Sequence, residues 1–459
     1  MKKVITCLVA LSLLLQTLTF SGCSHGENGI KILSGSKKTL ARLEKATDKN
    51  GELEGNEHRA YVEAALDESE EIIEEMYGLT KEKARKYLTD NGCTVETEFD
   101  EDIYNSVKNA YKELGLENLS SGCAVTDLHG RLLSLYSGNP KKGDYKNYAT
   151  EKTPPYSSFK PLCVYAPAIE NGLANWSTVY PDSPVKKIES ENGQTYDWPS
   201  NATGRYTNEN TTVAEAVKTS LNTVAVRCMQ TVGLDNSLSF LQDKFDLTLS
   251  YESKKAALNG NDDVFGNVAL GYLYEGVSPV DMAGYYQAFA NGGTYSKPHT
   301  VSRILNSDEK VIYEYKSEEN RVLKDSTAYI MNRLLQNVTT AGATGEKARC
   351  DGVSVGGKTG TGDNGNWFVG FTPQYSCSVW HGTEITGNNC PNIFKKIVSG
   401  FDNKKAEDYP DCDGIQKAAY CADSGLLFSD NCRKVNMGYY TADNFPAVCD
   451  IHNQPQIEQ

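Results

Sequence analysis

Apolar and polar positions alternate along this chain with three different periods. Val4 to Phe20 is almost continuously apolar, broken only by Thr6, Ser12, Gln16, Thr17 and Thr19, with Lys2 and Lys3 before it and the small pair Ser21-Gly22 after it. A basic start, an apolar run and a small-residue exit make a secretory signal over residues 1–22. Residues 23–58 are polar, rich in Gly, Lys and Glu, and without a sustained apolar period, which predicts a flexible tether. A helical period follows at Val62, Leu66, Ile72, Ile73 and Met76, then a short segment from Lys81 to Leu88 that stops at Asn91-Gly92. Thr94 to Phe99 alternates as a strand does, and Ile103, Val107, Ala110, Tyr111 and Leu114 mark another helix. Residues 59–118 are therefore expected to form a small α+β module.

From Gly122 two strand-like runs, Cys123 onward and Arg131 to Tyr136, flank a turn at Asp127-Leu-His-Gly130. A long, mostly helical stretch follows. It includes Thr212 to Val232, a helix starting at Ser278-Pro279 and ending at Asn291-Gly292-Gly293, and a stripe at Met331, Leu334, Leu335 and Val338. Strand-like runs return at Val353 to Lys358, Trp367 to Phe371 and Cys377 to His381. Helices between two groups of strands predict an α+β domain over residues 119–405 whose sheet joins distant segments. Residues 406–459 read as a loop-rich, cysteine-rich tail.

Charge narrows the possible partners. The chain has 46 basic and 60 acidic residues, and losing Lys2 and Lys3 with the signal takes the formal charge from −14 to −16. Such a surface repels a phosphate backbone, so nucleic acid is not an expected partner. No run after the signal approaches the ~18 apolar residues of a spanning helix. Phe20-Ser21-Gly22-Cys23 resembles the bacterial lipobox, which implies a lipid-modified Cys23 and an extracytoplasmic body anchored to the cell membrane.

Three short strings can carry chemistry. Gly356-Gly357-Lys358-Thr359-Gly360-Thr361-Gly362 sets an ammonium and hydroxyls at the edge of a strand, and its glycines admit a close neighbour; it does not match a phosphate-binding P-loop. Tyr156-Ser157-Ser158-Phe159-Lys160-Pro161 contains Ser-x-x-Lys, whose spacing on a helical turn stacks the amine over the hydroxyl. A lysine desolvated there and near a second cation can lose its proton and act as a base. Ser220-Leu221-Asn222 offers a hydroxyl and an amide two residues apart. Singly these patterns are weak: Ser-x-x-Lys recurs at Ser34/Lys37, Ser183/Lys186 and Ser307/Lys310, and Ser-x-Asn at Ser137, Ser190 and Ser429. Of these, Ser190 and Ser220 lie between Ser157 and Lys358, and only Ser220 stands within the helical-looking Thr212 to Val232.

In this order the strings resemble the transpeptidase domain of class A penicillin-binding proteins. The resemblance includes Ser157-Ser-Phe-Lys-Pro161, Thr219-Ser-Leu-Asn-Thr-Val-Ala-Val-Arg227, Met282-Ala-Gly-Tyr-Tyr-Gln-Ala-Phe-Ala-Asn-Gly-Gly293, and Lys358-Thr-Gly-Thr361 with Trp367-Phe-Val-Gly-Phe-Thr-Pro373. It runs from about Tyr61 to His452 and implies a serine penicillin-recognising α+β fold, an antiparallel sheet flanked by helices with an all-helical subdomain. It also implies acyl transfer on peptidoglycan stem peptides ending in D-Ala-D-Ala, with β-lactams acylating the same serine and no cofactor or metal involved. By that resemblance Ser157 is the nucleophile, Lys160 its base and Ser220 a proton relay. Asn222 holds the donor amide, Lys358, Thr359, Gly360 and Thr361 bind its carboxylate end, and the backbone N–H groups of Ser157 and Thr361 form the oxyanion hole. Tyr156 stands where the family usually has glycine. The stretch from Cys23 to Tyr61 is too short for a glycosyltransferase domain, so a separate glycosyltransferase is expected to act in trans. A D,D-carboxypeptidase or β-lactamase on the same fold, and a β-lactam or muropeptide receptor without turnover, are the alternatives.

Histidines and cysteines complete the inventory. The six histidines show no His-Glu-x-x-His pairing. Of 13 cysteines, Cys7 leaves with the signal and Cys23 takes lipid, so eleven remain, an odd number. Cys163 and Cys228, in apolar helical runs, read as buried thiols. Cys421, Cys432, Cys449 and His452 lie in the tail. Export favours disulfides with Cys412, Cys390 or Cys377, ahead of free thiols or a Cys₃His zinc site.

Overall fold

The computed structural model describes residues 29–44, 49–140, 145–189, 192–249, 264–401 and 408–453. The signal segment and Cys23 lie outside the described residues. Two five-stranded sheets are built from β1 (Ile30–Leu33), β2 (Thr39–Leu43), β3 (Thr94–Thr97), β4 (Ser121–Asp127), β5 (Leu132–Gly138), β6 (Val301–Leu305), β7 (Val311–Glu314), β8 (Gly356–Gly362), β9 (Gly365–Phe371) and β10 (Tyr375–His381).

The central sheet has the order β8-β9-β10-β4-β5 and is antiparallel throughout. Strand β9 reads as an unbroken apolar run from Trp367 to Phe371 because both faces are covered. Trp367, Val369 and Phe371 point into the core that holds Tyr286 and Phe289 of the helix Pro279–Ala290. Phe368, on the opposite face, meets Phe394 of the helix Cys390–Ser399 edge-on at 4.9 Å. Ser278 caps the first of these helices as its sequence predicts: its side chain accepts from Asp281 N–H while Asp281 reaches back to the Ser278 backbone. The α+β architecture expected from the strand and helix pattern is the one observed.

The second sheet corrects two boundaries. Its order is β7-β6-β3-β1-β2, with β1 and β3 parallel and the other pairs antiparallel. Residues 30–33 and 39–43, expected in a tether, are thus strands, and the small module takes its other edge from residues 301–314, deep in the next domain. These two strands are only four and five residues long, too short for a period to show; β2 pairs with β1 alone, and β1 is held in the sheet by residues 94–97, far on in the sequence. Ile30, Ile32, Leu40 and Leu43 are all buried against the helix Arg59–Tyr77 and its neighbours.

The remaining body is a helical subdomain. A tight turn over Tyr156–Phe159 leads through Pro161–Tyr165 into Ala166–Glu170, all packed with Val213–Thr219, Asn222–Val232 and Leu234–Phe245. Cys163 and Cys228 are fully buried here, as expected. No helix among the described residues is long and apolar enough to cross a membrane.

Candidate functional site

The site forms where the Ser157 turn meets β8. A Cβ on Gly360 would sit 2.4 Å from Pro155 O and 3.2 Å from Ser158 N, so only glycine lets the strand lie this close to the turn. Trp367 Nε1 donates to Pro154 O (2.9 Å) and Tyr286 Oη donates to Ser158 O (2.5 Å), fixing the turn from two sides. Ser157 is half-buried, and among the described residues its hydroxyl has no hydrogen-bond partner. Tyr156, before it, has φ +50°, the left-handed conformation in which glycine is at ease. Here packing imposes it. Tyr156 N–H donates to Gly271 O (2.9 Å), its Oη accepts from Asn364 N–H (3.0 Å), and its ring lies over Gly362.

One turn on, Lys160 is completely buried. Its ammonium donates to Asn222 Oδ1 (2.6 Å) and Ser220 O (3.1 Å). From β8, Lys358, equally buried, donates to Ser220 Oγ (2.8 Å) and Thr359 O (3.1 Å). Ser220 thus lies between two lysines from opposite sides. Burial lowers the Lys160 pKa from the usual lysine value to about 7. Burial, with the Lys160 charge second, pushes that of Lys358 well down. Among the described residues no carboxylate pairs with either ammonium. The pocket supplies a hydroxyl, an amine able to lose its proton near neutrality, and a second buried amine that an anion would help to keep charged.

Ser220 reaches this position because the helix expected through Thr212 to Val232 is two helices. The first, Val213–Thr219, ends at Ser220 in the left-handed conformation (φ +63°), and the second begins at Asn222. The break is held by residues the sequence did not single out. Asn201 Oδ1 accepts from Asn222 N–H (2.9 Å), Ser200 O accepts from the Asn222 amide (2.7 Å), and Asp182 Oδ1 accepts from Asn201 Nδ2 (2.7 Å) and Thr223 Oγ1 (2.6 Å). Burial works to raise the Asp182 pKa, but hydrogen bonds from Thr223, Thr207 and Asn201 outweigh it and keep the carboxyl ionised. Asn388, also not singled out, donates from its amide to Gly360 O (3.0 Å), Thr361 Oγ1 (3.2 Å) and Trp367 O (3.1 Å), holding the Thr359–Thr361 edge in place.

Residues 122–396 match the family model of the penicillin-binding protein transpeptidase domain. The chain belongs to this family. Among relatives, it is 29% identical over 358 residues to penicillin-binding protein 1A of Clostridium acetobutylicum, a match covering 71% of this chain and 42% of that protein. The chain thus spans less than half the length of this and other curated relatives it matches. Its fold is that of the D,D-transpeptidase domain of a peptidoglycan glycosyltransferase from Eggerthella lenta (TM-score 0.61, 19% identity, 82% of this chain and 98% of that one). It also matches a Mycobacterium tuberculosis penicillin-binding protein solved in complex with penicillin V (TM-score 0.60, 20% identity, 77% and 96%). The serine penicillin-recognising fold expected from the motifs is therefore observed, and the chain carries a serine acyltransferase domain of penicillin-binding proteins, whose homologues act on extracytoplasmic peptidoglycan. The matched region is the part of the chain that places Lys160, Ser220, Asn222 and Lys358 in one cluster.

The tail corrects the disulfide expectation. All eleven cysteines among the described residues are free. Cys377 lies within the central sheet, 3.9 Å from Cys123 Sγ, and Cys390 opens the helix Cys390–Ser399 with its thiol directed at Asn366 O. Both are buried in the body and cannot pair with the tail.

Proposed function

We propose that this chain is a D,D-transpeptidase that cross-links peptidoglycan stem peptides through a Ser157 acyl-enzyme. Two buried lysines around Ser220, with no carboxylate among the described residues paired to either, are the observation that supports this most directly. Lys358 with Thr359 and Thr361 makes a receptor for a terminal carboxylate, which would supply the missing counter-charge. Gly360 leaves room for the donor backbone alongside β8, and Asn222 holds its amide. Ser157 attacks the penultimate D-Ala carbonyl and passes its proton to neutral Lys160. Ser220 relays a proton to the departing D-Ala. Backbone N–H groups of Ser157 and Thr361 stabilise the oxyanion, and an amine from a second stem peptide resolves the ester. A β-lactam, with its own carboxylate and strained amide, acylates the same serine. On this reading Cys23 carries a lipid anchor, and a separate glycosyltransferase supplies the glycan.

A fluorescent penicillin is expected to label the wild-type chain covalently, and Ser157→Ala to abolish labelling. Labelling that survives the substitution removes Ser157 from the role. Incubation with nascent glycan carrying pentapeptides is expected to give cross-linked dimers; trimmed monomers alone would make the chain a carboxypeptidase.

The base must be neutral to accept the serine proton, and its pKa is about 7. The acylation rate constant is therefore expected to rise about tenfold per pH unit below neutrality and to level off above it. Stopped-flow labelling across pH gives the profile. A rate independent of pH from about 5 to 9 would exclude Lys160 as the base.

A further inference from the structure

We propose that Cys421, Cys432, Cys449 and His452 form a structural zinc site that staples the C-terminal segment to itself. The ligand atoms come from three places: the end of β11 (Ile415–Cys421), the loop before β12 (Val435–Thr441), and the turn around Ile451–Asn453. All four lie within 4.8 Å of one another. His452 Nδ1 is 3.7 Å from Cys421 Sγ and 3.4 Å from Cys449 Sγ. Tetrahedral zinc with bonds of about 2.3 Å to sulfur and 2.0–2.1 Å to nitrogen sets sulfur and nitrogen about 3.6 Å apart, so the cluster already has the size of a coordination shell.

The surroundings suit the same use. Ser429 brings its backbone N–H and its hydroxyl to 3.4 Å from Cys432 Sγ, and Ser424 Oγ lies 3.3 Å from Cys449 Sγ, donors that favour thiolates. Asp423 Oδ2 is 3.8 Å from His452 Nε2, on the side of the ring away from the sulfurs, where a carboxylate orients a metal-bound imidazole. A disulfide would consume two of the three thiols and strand the third; a metal uses all three with the imidazole. Three soft thiolates select zinc over calcium or magnesium, and four protein ligands leave no open position, which makes the site structural rather than catalytic. Binding releases the thiol protons and involves no redox step.

The segment has reason to need such a staple. The hairpin and its loops leave Phe428, Val435, Met437, Val448 and Ile451 exposed, so little apolar burial holds them. One side of the hairpin docks on the body, with Tyr420 and Tyr440 buried in its core, Tyr440 Oη donating to Ser177 Oγ (2.9 Å), Asn444 Nδ2 to Ala174 O (3.0 Å), and the Tyr439 ring meeting Trp176 edge-on at 5.1 Å; none of these contacts involves Cys432, Cys449 or His452. Between hairpin and body lies a cleft of about 930 Å³, lined by Lys218, Arg333, Arg349, Tyr420, Met437 and Tyr439. Metal at Cys421 would fix the wall that Tyr420 contributes.

The test uses the full mature chain, purified under mild reductant without chelator, with metal content read by inductively coupled plasma mass spectrometry. Zinc equimolar with the chain is expected, with near-complete loss in Cys432→Ser and in His452→Ala, while penicillin labelling of both variants persists. Zinc retained by both variants, or no zinc uptake with an intact mass showing paired thiols, overturns the proposal. Should the variants not fold, the wild type refolded with cobalt decides: thiolate-to-cobalt absorption is expected, and its absence overturns the site.

Discussion

Replacing Lys160 with methionine is expected to stop acylation of Ser157 and, at the same time, to make the fold more stable. A lysine in an unfolded chain holds its proton up to about pH 10.4, whereas buried Lys160 gives it up at about 7. Between these values the unfolded state binds more protons, so stability falls as pH falls through the window and stays low beneath it. The difference corresponds to roughly 4–5 kcal/mol near neutral pH. Methionine removes that penalty but leaves Ser220 O and Asn222 Oδ1, both part-buried, without a donor, a loss of about 1 kcal/mol each. The net expectation is a gain of about 2–3 kcal/mol, seen as a rise in melting temperature at pH 7 that shrinks as the pH approaches 10. Penicillin acylation of the same variant is expected to fall by about 10²–10⁴. Lys160→Arg, which keeps a charge that cannot be shed, should lose activity without gaining stability. A methionine variant that is less stable than wild type across this range would mean that Lys160 is held by favourable interactions and is not a strained base.

The same lysine shows how much of the site was legible in the sequence. Ser-x-x-Lys occurs also at Ser34/Lys37, in the turn between β1 and β2, and at Ser307/Lys310, in the turn between β6 and β7. Neither lysine is buried. What separates Lys160 from them is burial supplied by the helical subdomain, and short spacing carries no information about that. The order of three motifs did carry it, because the fold brings them to one point. Misread were the features fixed by distant partners. Strands β1 and β2 looked like tether because the strand that joins their hairpin to the sheet, pairing with β1, comes from residues 94–97. Ser220 looked like the middle of a helix because the apolar period continues through Val217, Leu221 and Val224; the break shows only with Asn201 in place to bind Asn222. In the tail the cysteines, with ten and then sixteen residues between them, match no familiar finger, and their convergence exists only once β11 and β12 have paired.

Ser220→Gly is expected to keep the fold and lose most of the acyl transfer. Ser220 occupies a left-handed conformation (φ +63°) that costs a side-chain-bearing residue about 1 kcal/mol and glycine little, so the substitution relaxes the backbone between the two helices while deleting only the hydroxyl. That hydroxyl joins the Lys358 ammonium to the pocket in which Lys160 binds the Ser220 carbonyl. Without it the carbonyl contact to Lys160 remains, and Lys358 keeps Thr359 O as a neighbour (3.1 Å), but the proton path between the two amines is gone. Acylation by penicillin is expected to slow by about 10²–10⁴ with an unchanged or slightly higher melting temperature. Ser220→Ala separates chemistry from backbone: it should lose the same activity and, unlike glycine, keep the left-handed strain. If both variants acylate at the wild-type rate, Ser220 serves only to turn the chain, and the departing amine takes its proton without it.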